Sequence, residues 1–171
     1  TVWLVERVQY YFDAVIEARE FRTSTNMLRI ALQQVESSQR GFVLTQEEPY
    51  LVPYNDARDD IMPLYNDLKE VVQGHQQYVS EVDALEQPLQ QKLTELEETI
   101  SLVRAGRQDE AVRIIATDEG KVTMDTAREL FNRMVDDADA HLMAAMEEQR
   151  SSANILRIVA IAGGLLIVMV V

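Results

Sequence analysis

From Phe21 onward apolar residues return at steps of seven, at Phe21, Leu28, Val35 and Phe42, with Leu32 behind them. Upstream, Val5, Val8, Phe12 and Val15 fall three and four residues apart, and the stretch REFRTST separates the two registers. This is the stripe of an amphipathic helix. One long helix is therefore predicted from the start of the chain to about Thr45, with a seam that shifts register partway. A second helix is expected from about Glu47–Pro49 to Gln73. Pro49 and Pro53 stand in or near its first turns, where a missing N–H costs least, Pro63 kinks its interior, and Gly74 stops it. The third runs from about Gln76 to Ala105 on the stripe Val82, Leu85, Leu89, Leu93, Leu96, Ile100 and Val103, with a bend at Pro88 and a stop at Gly106. A fourth helical region opens near Gln108, breaks at ATDEGK, and resumes with Met124, Phe131, Ala138 and Ala145 at steps of seven beside Ala127, Met134 and His141.

The pattern predicts an all-α fold, an up-down-up-down four-helix bundle with long first and last helices. From Ile158 the sequence is IVAIAGGLLIVMVV, with Ile155 and Leu156 ahead of Arg157. A core helix would show a polar face and this run shows none, so residues 155–171 read as the start of a transmembrane helix continuous with the last bundle helix. Residues 1–154 then form a domain on one side of the membrane. Trp3 among Val2, Leu4 and Val5 reads as the interfacial residue of a span upstream, and Arg150 and Arg157 snorkel at the near interface of the C-terminal span.

Composition narrows the function. The 171 residues suit one domain with a real core. Hydrophobic residues make up 47% and charged residues 26%, the balance of a folded helical chain. The net charge of −13, with no basic run to neutralise phosphates, argues against a nucleic-acid partner. Cysteine is absent, which removes thiol chemistry and cysteine-based metal sites. The inward Glu-x-x-His of a di-metal bundle fails because Val72 and Ala138 stand three residues before His75 and His141. The acid pairs Asp59/Asp60, Glu97/Glu98 and Asp136/Asp137 read as solvated faces, and no phosphate loop, HExxH or nucleophile elbow is present. No catalytic residue, metal or cofactor is expected in this segment. His141, on the seam near the membrane end, is a candidate pH-sensitive interface.

The chemistry that remains is a polar layer. Glu36 and Arg40 lie four apart on one helix face, and Gly41 lets a neighbour approach closely. Lys121, Asp125 and Arg128 repeat the spacing of four and three in the second half. Buried charges must satisfy one another. Glu36, Gln39, Arg40, Gly41, Asp125 and Arg128 are therefore the candidate layer between the first and last helices, either fixing their register or sensing a stimulus.

The same residues carry a resemblance. ESSQRGFVLTQEEPYLVPY resembles the Glu-x-x-Gln-Arg-Gly-aromatic-x-Leu-Thr signature, followed by Tyr-Leu and Pro-Tyr, of the third class of CHASE domains, extracellular sensory domains associated with cyclases and histidine kinases. LVRAGRQDEAVRIIATDEGKVTMDTAREL is similar to that family's second half, and the resemblance spans roughly Val8 to Leu142. Gln46 departs from it, standing where a turn Gly is common. The resemblance implies an extracytoplasmic four-helix sensor between two transmembrane helices of a homodimeric bacterial receptor in the inner membrane. Its cytoplasmic part would most often be a two-component histidine kinase, otherwise a diguanylate cyclase or chemoreceptor module. The stimulus, small molecule or protein, stays open. A membrane-anchored interaction bundle without signalling output is the competing class.

Overall fold

The computed structural model describes residues 2–73, 76–117, 122–144, 146–147 and 150, and for residues 2–8, 10, 11, 76 and 77 the backbone alone. Every regular element among them is helical: α1 (Val2–Thr45), a 3-10 turn (Glu48–Tyr50), α2 (Leu51–Arg58), α3 (Ile61–Val71), α4 (Gln76–Arg104), α5 (Gln108–Ile115) and a helix over 122–144, here α6. The chain divides into two compact units, residues 21–136 and residues 1–20 with 137–171.

Within the first unit the heptad stripe of α1 is the core. Phe21, Leu28, Leu32, Val35 and Phe42 are all buried, as are Val82, Leu85, Leu89, Leu96, Ile100 and Val103 of α4 and Met124, Ala127, Phe131 and Met134 of α6. The ring of Phe21 stacks on Tyr78 at 4.2 Å between centroids, Gln39 bonds Thr99, and Arg104 lies over the Phe42 ring. Rising numbers pair with rising numbers, so α1 and α4 run in the same direction. Arg58 meets Glu97 and Lys69 meets Asp83, so α2 and α3 run against α4.

The predicted second helix is two helices. Pro63 is the third residue of α3, where it has no N–H for the carbonyl of Asp59 and its ring would strike that carbonyl in a continuous helix. The break falls at Asp59–Asp60, ahead of the proline, rather than as a kink around it. Pro88 stays inside α4 without ending it. At the far end of α4, Gly106 has φ 75°, Arg107 N–H donates to Leu102 O at 2.8 Å and Gly106 N–H to Val103 O at 2.9 Å. That paired closure satisfies the last carbonyls of α4, and a glycine takes the left-handed residue at no steric cost.

Phe12, expected on the seam, is 60% exposed. It lies nine residues before Phe21, about two and a half turns, so the two point to opposite sides of α1. In the second unit, burial on α6 ends at Ala138, and from Asp139 no residue whose burial is described is buried. His141 is among the exposed ones: the heptad gives the face a residue occupies, not how deeply it is buried there. Gly74, His75, Asp118–Lys121, Ala145 and the apolar run 155–171 lie outside the described residues.

Candidate functional site

Glu36 is the centre of the site. It sits on the buried side of α1 between Leu32, Val35 and Gln39, with its side chain 6% exposed. A carboxylate stripped of water at that depth would cost on the order of several kcal/mol if left alone. It is not alone. Oε1 accepts from Arg40 Nη2 at 2.9 Å and lies 3.7 Å from Lys92 Nζ, and Oε2 accepts from Arg128 Nη2 at 3.3 Å. The three cations come from α1, α4 and α6. Lys92, 5% exposed, is the buried counter-ion, while Arg40 and Arg128, at 53% and 44%, reach the group from the solvent side and are screened accordingly.

The remaining charges are also matched. Lys92 Nζ donates to Glu95 Oε1 at 2.9 Å, and Arg128 Nη1 to Asp125 Oδ1 at 3.2 Å. Three carboxylates therefore stand against three cations, which is what makes charge at this depth tolerable. One turn along α1, Gln39 Nε2 donates to Thr99 Oγ1 at 2.6 Å, and that hydroxyl donates back into its own helix at Glu95 O and Leu96 O. Gly41 plays a different part. A Cβ there would collide with the ring of Tyr50 in the 3-10 turn, so the missing side chain admits that ring rather than a neighbouring helix.

The six residues singled out in the sequence thus divide. Glu36, Arg40, Asp125 and Arg128 share one network, Gln39 lies beside it, and Gly41 packs a turn. The sequence reading placed α4 but missed its share in this layer, Lys92, Glu95 and Thr99. A signal was there: Lys92 falls three residues after Leu89 and four before Leu96, on the apolar stripe itself, and Thr99 follows three later. Lys121 lies outside the described residues, as do the Trp3 side chain and Arg157. Arg150 is exposed and helical, and His141 is exposed on α6.

Elsewhere the same unit holds exposed ion pairs. Arg107 grips Glu110 with two bonds at 2.6 and 2.5 Å, which holds that carboxyl below the usual glutamate range. Burial pushes the phenols of Tyr54 and Tyr65 above the ordinary tyrosine value of 10.0. Among the described residues no cluster of acids and histidines is placed to hold a metal, and no helix is long and apolar enough to cross a membrane. What the arrangement around Glu36 does is join α1, α4 and α6 through charge.

Two comparisons place this geometry. The CHASE3 domain profile matches residues 13–148. The fold is similar to the crystal structure of the sensor domain of histidine kinase HK9 from Rhodopseudomonas palustris, with a TM-score of 0.54 and 20% identity, covering 79% of this chain and 97% of that one. No curated protein matches the chain significantly. With the family profile covering most of the chain, including every residue of the Glu36 network, the chain belongs to the CHASE3 family of sensor domains.

Proposed function

We propose that the chain is the extracytoplasmic input domain of a bacterial transmembrane receptor, a two-component sensor histidine kinase, working as a homodimer. In this reading residues 1–154 are an up-down-up-down four-helix bundle on the periplasmic side. Residues 155–171 begin the membrane span, and Trp3, Arg150 and Arg157 stand at the interface that faces the bundle. A stimulus shifts α1 and α6 against each other by small translations or rotations, and the two packings are the bistable element.

The observation that carries the reading is that one carboxylate, Glu36, is held by cations from α1, α4 and α6. The helix that enters the domain and the helix that leaves it meet at a charge that accepts few geometries. Helix register is set there and changed there. The test is Arg128→Met in the full receptor. It removes the α6 partner at a side chain 44% exposed, so the domain stays folded while resting kinase output moves away from the wild-type level. Wild-type output in a normally stable Arg128→Met receptor sinks the proposal.

A further inference from the structure

The two stretches that carry the family resemblance, QRGFVLT and EAVRIIAT, meet in space. Arg40, Val43 and Leu44 of α1 and Val112, Ile115 and Ala116 at the end of α5 wall a cleft of about 290 Å³. Gln108 Nε2 donates to Val43 O at 2.7 Å and fixes α5 against the last turn of α1, so the walls are held in place. Two of the lining side chains are large, apolar and uncovered: Leu44 is 72% exposed and Val112 41%. Exposed apolar side chains gathered around a concavity mark a binding surface, whereas the same residues scattered would mean nothing. The volume is at the low end of the roughly 300–1,000 Å³ of small-molecule sites, so the occupant is small.

We propose that this cleft binds a small amphipathic monocarboxylate, with its carboxylate on Arg40 and its apolar body on Val43, Leu44, Val112 and Ile115. The lining supplies one charge and it is a guanidinium, which is permanently cationic and suited to gripping a carboxylate through two parallel N–H bonds. A second cation or a polar wall would call for a di-acid or a sugar, and neither is present in the lining.

The site is joined to the Glu36 network through Arg40. Its Nη2 is bonded to Glu36 at 2.9 Å, and the guanidinium has further donors for a ligand. Should the ligand draw Arg40 away, Glu36 keeps Lys92 at 3.7 Å and Arg128 at 3.3 Å and is not left a bare buried charge. Binding therefore leaves the Glu36 carboxylate to two cations, and the α6 partner Arg128 takes a larger share. This coupling rests on the proposed role of the network in signalling; the binding itself does not.

The experiment is a titration of hexanoate, with hexanamide as its neutral match, into the full chain, followed by NMR at the methyl groups of Val43, Leu44, Val112 and Ile115. Saturable shifts at these four are expected. Hexanamide should bind about tenfold or more weakly, the loss of a hydrogen-bonded charge pair. Arg40→Gln should bring hexanoate down to the affinity of hexanamide. Leu44→Glu, a change at an exposed position that leaves the melting temperature in place, should abolish the shifts. No saturable shift, shifts elsewhere, or equal affinity for acid and amide overturns the proposal. Arg128→Met keeps hexanoate binding if the site is right, whatever its effect on kinase output, so failure of the site and failure of the signalling reading are told apart.

Discussion

Around Leu28, Leu32, Leu85 and Leu89 the bundle is sealed by side chains that expose 1% or less, whereas a turn further along α1 the helices are joined through Glu36 and Lys92. The leucine levels stabilise strongly and specify weakly. Apolar burial is non-directional, and one heptad to either side Leu28 is replaced by Phe21 and Val35 and Leu89 by Val82 and Leu96, so a slipped stripe still meets apolar residues. The charged level does the reverse. Desolvation offsets much of its attraction, so it adds little net stability, yet each of its partners satisfies the others only in this register. Strength and specificity are thus assigned to adjacent levels of the same helices.

Two experiments test that division directly, and two more sharpen it at the edges. The largest effect belongs to the apolar levels: Phe131→Ala, at a side chain with no exposed surface, should cost about 3–5 kcal/mol in denaturant unfolding. A small loss there would mean that α6 is not held by its core stripe. Next comes Lys92→Met, which keeps the stem but leaves Glu36 to two half-exposed arginines. It should cost about 1–3 kcal/mol, and adding Glu36→Gln should cost less than the two separately, since the second change removes the charge the first left short. Additive losses would break the claim of a shared network.

Smaller effects sharpen the picture at the edges. Gln46 has φ 61° where α1 closes, with its N–H on Phe42 O at 2.7 Å, a left-handed closure that a glycine adopts freely. Gln46→Gly should raise stability by about 0.5–1 kcal/mol, less whatever its exposed side-chain contact with Gln108 contributes. A loss of stability would show that the side chain matters more than the backbone. The last concerns pH. With folded-state values above the unfolded one, the contribution of Tyr54 and Tyr65 is complete below pH 10.0 and declines as pH rises from there through the folded values. Tyr54→Phe and Tyr65→Phe should flatten the alkaline limb of a stability–pH curve and leave it unchanged near neutrality. An unchanged alkaline limb would place the loss elsewhere.

Much of this was legible because it is local. Helix ends at Thr45, Arg104 and Ile115 follow from the left-handed residue Gln46, from Gly106, and from the break after α5, all of which act within a few residues. Glu36 with Arg40 and Asp125 with Arg128 were legible for the same reason, as pairs one turn apart on one helix. What was missed depended on distance. Lys92 and Thr99 looked like ordinary members of the acid-rich stretch QQKLTELEET until α4 was laid beside α1. Phe12 and His141 fit a period and are nonetheless exposed, because periodicity names a face and says nothing about what covers it.

The sequence by itself therefore determined the helical class, the turns, the stripe of each helix, the balance of charge and the family. Each of these is encoded in propensity, spacing or motif over a handful of neighbouring residues. Only the tertiary structure decided that α4 supplies the buried counter-ion of Glu36, that Gly41 makes room for Tyr50, and that Arg40 faces both an ion network and an apolar cleft. Those facts depend on which side chains meet across elements, from nine residues apart in the chain at Gly41 and Tyr50 to 92 at Glu36 and Arg128. That meeting is fixed by packing and desolvation, which no local pattern contains.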